Sequence, residues 1–273
     1  MKKICIILIS FLLLLTTTGC GNKKDVNQLD SIKERGKISL GVAPDYAPYE
    51  FYLAKDGKVE VVGADIQLAE EIAKELGVKL EIVQLSFDAL LPALSSGRVD
   101  MVISGMNPNE KRRKVVDFSD IYFAGGSTFL INNDREDIKS IEDVKKMKIG
   151  VQKGAVQEKF LLEEINIPRE NLQSLADVPS VIQDLKNKNI DAAFLAEDVS
   201  KIALHKEKSL IFSNFKFEKD AEAEGMAVAF RKGNNKDLIE KINKVVNKQY
   251  SEKIFENELE KYATLAAEYQ ELK

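Results

Sequence analysis

An α/β chain of two similar lobes is what the sequence predicts, and three observations carry the prediction. Strand-like and helix-like periodicities alternate along the chain, as in successive βα units. One unit echoes another: Leu94, Val99 and Asp100 recur at the same offsets as Leu185, Ile190 and Asp191, and Lys37-Ile38-Ser39-Leu40 opens like Lys148-Ile149-Gly150-Val151. At 273 residues, 44% hydrophobic and 31% charged, the chain has room for one large globule or two small ones.

The elements follow in order. Ile38, Leu40 and Val42 alternate with Ser39 and Gly41 as a strand. The loop after it, broken by Pro44 and Pro48, carries Tyr46, Tyr49 and Phe51, which serve either core packing or a platform for a ligand. Asp65 reads as the N-cap of a helix with Ile66, Ala69, Ile72, Ala73 and Leu76 on its apolar face and Gly77 at its stop. Val78, Leu80 and Ile82 alternate as the next strand. Ser86-Phe87-Asp88 opens a helix with Pro92 near its start and Leu90, Leu91 and Leu94 on its apolar face. Met101-Val102-Ile103 is a short apolar run of the buried-strand kind. Past Gly125-Gly126 come an apolar run at 128–131, a capping-box start at Ser140-Ile141-Glu142-Asp143, and a strand at 148–152. Helical spacing over 179–185, strands at 190–194 and 227–230, and an amphipathic helix through Leu238, Ile242, Val246 and Tyr250 complete the chain.

The first nineteen residues stand apart from the folded body. Lys2-Lys3 precede an apolar segment at 4–15, too short for a typical spanning helix, and Thr17-Thr18-Gly19 lead to Cys20. Residues 1–19 thus read as a lipoprotein signal peptide, with Cys20 as the lipidated first residue of an extracytoplasmic protein held to the cell membrane; an ordinary secretory signal is the alternative. Its removal takes away Lys2, Lys3 and Cys5, leaving Cys20 as the one cysteine and no possible internal disulfide. Residues 20–35 are expected to be a flexible tether. An acidic balance, formally −4 for the whole chain, without a basic stripe argues against nucleic-acid partners.

The densest chemistry lies between Asp100 and Tyr122. The buried strand ends at Ser104-Gly105, the chain turns through Met106-Asn107-Pro108-Asn109, and Glu110-Lys111-Arg112-Arg113-Lys114 follows. Backbone N–H groups at Gly105 and Asn107 with an arginine just beyond suit the two oxygens of a carboxylate; a turn followed by a solvated charge run is the alternative. The glycine turn at Lys153-Gly154 before Ala155-Val156-Gln157-Glu158 offers a second set of helix-start N–H groups.

The run Ser104 to Arg112, followed by Val116-Asp117-Phe118-Ser119, closely resembles the bacterial extracellular solute-binding proteins of family 3, the amino-acid-binding components of ABC importers, and the likeness extends from about Lys37 to the C-terminus. The resemblance implies a type II periplasmic-binding-protein-like fold, with a ligand cleft between lobes joined by two hinge strands near 124–128 and 219–225. Lobe I would comprise 36–126 and 221–273, and lobe II 127–220. It implies that Arg112, not Arg113, clamps the α-carboxylate, that Tyr46 and Phe87 pack on opposite sides of the ligand, and that Ser104, Gly105 and Asn107 line the first lobe. It also implies that Ala155, Val156 and Gln157 meet the same carboxylate from the second lobe, where Ala155 and Val156 lack the hydroxyl often found. A small polar amino acid, permease subunits as partners, a monomer, and no cofactor or metal are the further expectations. The position that usually holds the ligand amine carries Ala196 here, and Glu197 follows it, as a substitute ligand group or as a helix-start carboxylate. Ala43 stands where an acid often meets cationic side chains.

Other classes on the same fold are a dehydratase-like enzyme and the binding partner of a sensor protein. The single histidine, His205, lies in a polar helical segment, and no Ser-His-Asp set, Cys-His pair or metal-spaced cluster is present in the sequence.

Overall fold

The computed structural model describes residues 27–55, 57–218 and 225–269. The leader, Cys20 and positions 219–224 of the second crossover lie outside them. The body begins earlier than expected. Gln28–Arg35 is a helix (α1), capped by the Asn27 side chain on Asp30 N–H and ended by Gly36 in the left-handed conformation, with Leu29 and Ile32 buried. Two apolar side chains one turn apart tie this segment to the core, so any tether stops before Gln28.

The first half continues through strands β1 (Lys37–Val42), β2 (Asp45–Tyr46), β3 (Glu50–Lys55) and β4 (Lys58–Val62), helix α2 (Ala64–Leu76), strand β5 (Lys79–Gln84), helix α3 (Phe87–Ser95), strand β6 (Met101–Val102), helix α4 (Glu110–Arg113) and strand β7 (Val116–Phe123). The second half contains β8 (Ser127–Asn132), α5 (Ile141–Lys146), β9 (Ile149–Gln152), α6 (Val156–Lys159) with a π-helical turn at Phe160–Glu164, β10 (Leu172–Leu175), α7 (Val178–Lys186), β11 (Ala192–Ala196), α8 (Glu197–Lys206) and β12 (Leu210–Phe212). The chain then returns as β13 (Met226–Arg231), α9 (Lys236–Ser251) and α10 (Ile254–Tyr269).

Two five-stranded sheets result, ordered β5-β1-β6-β13-β7 and β10-β9-β11-β8-β12, and β2-β3-β4 forms a small separate sheet. In each large sheet one strand arrives from the other half and runs antiparallel: β13 beside β6 in the first, β8 beside β11 in the second. That is the type II pattern, and it makes residues 124–126 and the stretch before β13 the two crossings between lobes. The repeat seen in the sequence has a physical counterpart. Asp100 accepts from Ser39 N–H at 2.9 Å and pairs with Arg35 at 2.6 Å; Asp191 accepts from Lys148 N–H at 2.8 Å and pairs with Arg135 at 2.7 Å. The two carboxylates hold equivalent strands, β1 and β9, by backbone bonds near their N-terminal ends.

Two local details differ from the sequence reading. Gly63, not Asp65, caps α2, and Asp65 is a fully buried residue of the first helical turn. The C-terminal segment does not stay with the first lobe alone: α10 packs on α2 and α9 and also on α8 of the second.

Candidate functional site

The strand ends β1 and β6 and the start of α3 from one lobe face the β9–α6 turn from the other. Ala43, Tyr46, Phe87, Ser104, Gly105 and Asn107 on the first side, with Gln152, Ala155, Val156 and Gln157 on the second, line a narrow pocket at the seam.

Arg112 stands at its rim and is 7% exposed. Asn109 caps α4 by accepting from Arg112 N–H at 3.0 Å, and the Arg112 side chain is buried. Its Nη1 donates to the Asn107 carbonyl at 2.7 Å and its Nη2 to the Gly154 carbonyl of the opposite lobe at 3.0 Å, with the guanidinium 5.4 Å above the Phe87 ring. Arg113 turns outward over Phe118. Ala155 is the N-cap of α6, so Val156 and Gln157 are its first two residues, whose N–H groups have no carbonyl within the helix. Gln157 Nε2 donates to Ser127 Oγ at the start of β8 at 3.1 Å.

Other polar contacts join the lobes. Asp45 Oδ2 accepts from Gln152 Nε2 at 3.0 Å and from Val178 N–H, at the start of α7, at 3.0 Å. Burial pushes the Asp45 carboxyl up to about 6, against the lowering effect of the Val178 hydrogen bond. Lys153 and Asp88 form an ion pair at 2.6 Å, and Tyr49 OH donates to Asp198 at 3.2 Å. The lobes are therefore closed on one another.

Nine of the ten predicted ligand residues line this space or its rim; Glu197 does not. It is the first residue of α8, its N–H bonds to the Gly126 carbonyl, and its carboxylate pairs with Lys201 one turn on, at 3.2 Å. Helix-start placement and an i,i+4 partner favour that outward role. Gly105 differs in kind: its N–H donates to the buried Asp65 Oδ2 at 2.8 Å, away from the cleft. What the position needs is absence of a side chain, since φ is +53° and a Cβ would lie 2.8 Å from Tyr46 Cε1. Gly105→Ala should push Tyr46 off its stack on Tyr49 and weaken ligand binding about tenfold, with a stability loss of about 1–2 kcal/mol; calorimetric titration and melting check both, and unchanged affinity would remove the steric argument. Gln152 was missed as a site residue. Its signal was its place at the C-terminal end of a strand, where ligands of α/β sheets sit.

A type II two-lobed fold with a donor-lined cleft at its seam defines a solute-binding protein. A family model for bacterial extracellular solute-binding proteins, family 3, matches residues 38–264, and the chain belongs to that family. The arginine-binding extracellular protein ArtP of Bacillus subtilis is 32% identical over 249 residues, covering 90% of this chain and 92% of that protein. A probable histidine-binding protein of Campylobacter jejuni is 34% identical, covering 82% and 84%. Among solved structures, an amino acid ABC transporter substrate-binding protein from Streptococcus pneumoniae bound to L-arginine aligns with a TM-score of 0.80 at 36% identity, covering 88% of this chain and 98% of that one.

Proposed function

We propose that this chain captures a small polar α-amino acid between its lobes and presents it to the permease of an ABC importer, of which it is the substrate-binding component. The observation that carries this reading is the convergence of Arg112 with the α6 helix start across the seam. A carboxylate gripped from both lobes binds the closed form more strongly than the open one, and only such a difference can drive closure. Tyr46 and Phe87 flank the space as the walls for the rest of the ligand. Arginine, histidine and cystine are named for relatives, and Asp45 behind Gln152 is an acid within one hydrogen bond of the cavity. L-arginine is thus the first compound to offer.

Residues 1–19 act as a signal peptide, and acylation of Cys20 holds the body outside the cytoplasm at the membrane; among the described residues no helix is long and apolar enough to cross one. Metabolic labelling with a fatty acid should mark the wild type and not Cys20→Ser. The ligand leaves unchanged: a thermal-shift panel of amino acids should give a selective rise in melting temperature, with the ligand recovered intact. No shift with any amino acid sinks the reading, and turnover would favour a dehydratase-like enzyme on this fold.

A further inference from the structure

An amino acid brings an ammonium as well as a carboxylate, yet none of the ten residues lining the cavity is an acid. Two acids stand directly behind its wall. Glu50, at the start of β3, and Asp65, in the first turn of α2, are both 0% exposed. Ser104 Oγ donates to Glu50 Oε1, while Gly105 N–H and Tyr122 OH donate to Asp65 Oδ2 at 2.8 and 3.2 Å. The other two oxygens, Glu50 Oε2 and Asp65 Oδ1, meet no donor among the described residues. Besides burial, Asp65 raises the Glu50 carboxyl both as a nearby charge and as a hydrogen-bonding neighbour.

Two ionised carboxylates cannot face each other in a dry wall, and two neutral ones would leave the donors of Ser104 and Gly105 poorly matched. One proton shared by the two carboxyls gives the orphan oxygens a partner and leaves one negative charge. The neighbours agree. Burial and then the Asp65 charge push Glu50 well above the usual carboxylate range, with Asp45 on β2 adding to the rise. Burial raises Asp65 to about 6. Tyr122 on β7 is pushed up by burial and by both acids, and Tyr46 adds a little, so the titratable groups facing the pair from β2, β7 and α2 are acids and phenols. Asp45 is already met by Gln152 and Val178, and Glu197 by Lys201.

We propose that Glu50 and Asp65 form a one-proton pair whose remaining negative charge, presented through Ser104 and Gly105, compensates the ammonium of the bound amino acid. The inference rests on the amino-acid reading above, and its test separates the two. In Glu50→Gln the amide takes the place of the shared proton: its Nε2 faces Asp65 and its oxygen keeps Ser104, so the charge stays. In Glu50→Gln/Asp65→Asn the charge goes while hydrogen-bonding groups remain. L-arginine and L-histidine are titrated into all three proteins at neutral pH, with deamino-arginine and deamino-histidine as controls that keep the carboxylate and lack the amine. Glu50→Gln should bind the amino acids within about threefold of the wild type; the double variant should lose about tenfold or more for them and little for the controls. A second readout needs no ligand. A native carboxyl raised above its unfolded value stabilises fully below the unfolded value, and that stability is lost as pH rises through the native one. The wild type should therefore lose stability with one proton's slope above about pH 6, and Glu50→Gln should lack that slope. Equal amino-acid affinities in all three folded proteins overturn the charge role alone, equal pH slopes overturn the shared proton, and a wild type that binds no amino acid overturns the functional reading and the charge role with it.

Discussion

Arg112→Ala is expected to weaken amino-acid binding by about 2–5 kcal/mol, the range for removing one partner of a buried charge pair, or about thirtyfold at the least. The size follows from position. Arg112 is almost fully buried, its guanidinium spans from the Asn107 carbonyl to the Gly154 carbonyl of the opposite lobe, and it lies over Phe87. A carboxylate arriving in the cleft meets a planar fork already oriented, in surroundings too dry for water to replace it. Truncation also removes one of the hydrogen bonds joining the lobes, so closure in scattering should become less complete. Arg112→Lys should recover only part of the loss, because an ammonium cannot span both carbonyls. The exposed pair Lys153–Asp88 joins the same lobes and serves as a control: Lys153→Ala should change affinity by less than about fivefold, as surface ion pairs contribute about 0–1 kcal/mol. Calorimetric titration of the three variants decides the matter, and a loss below about threefold for Arg112→Ala would remove it from the proposed clamp.

Much of this was legible because the sequence carries its own repeat. Asp100 and Asp191 could be paired by offset alone, and they anchor the equivalent strands β1 and β9 through the same kind of backbone bond. Arg112 rather than Arg113 came from the family resemblance, and of the two it is Arg112 that is buried at the seam. What was not legible depends on backbone direction or on remote packing. Nothing in Ser104-Gly105 tells that the glycine N–H turns to Asp65, because the left-handed φ that turns it is set by the close approach of the Tyr46 ring. Asp65 has the chemistry of an N-cap, but Tyr49 and Pro48 carbonyls already take the first N–H groups of α2, so the acid is driven inward. The hairpin of β3 and β4 did leave a signal, Asp56-Gly57 between alternating apolar residues. For the aromatic loop before it the sequence left core packing and ligand contact open, and Tyr49 and Phe51 are core. Helix α10 was passed over although its buried face, Phe255, Leu259, Tyr262 and Ala266, keeps the i, i+4, i+7, i+11 spacing of an amphipathic helix.

Gly63→Ala should be the most damaging single-methyl change to stability, costing about 4 kcal/mol or more. Gly63 has φ +143°, a conformation L side chains rarely adopt, and an added Cβ would lie 2.0 Å from the Tyr49 carbonyl oxygen, 2.5 Å from its carbon and 2.9 Å from Glu50 Cα. All three are backbone atoms, so no side chain can swing away to relieve the overlap. Nor is the facing segment free to retreat: Pro48 O accepts from Ala64 N–H at 3.2 Å and Tyr49 O from Asp65 N–H at 2.9 Å, stitching it to the start of α2. Tyr49 is itself packed among Tyr46, Phe123 and Phe255. The chain must therefore part α2 from the β2–β3 loop, and with it Asp65 from Gly105 and Glu50, so stability and ligand affinity should fall together. On a protein of this size the expected loss lowers the melting temperature by about 10 °C. Gly77→Ala is the comparison, since it too has a left-handed φ of +70° but nothing within 4 Å of its Cβ; it should cost only about 1–2 kcal/mol. Urea unfolding of the two variants separates overlap from strain. Equal costs would mean that backbone crowding at Gly63 contributes nothing beyond its φ.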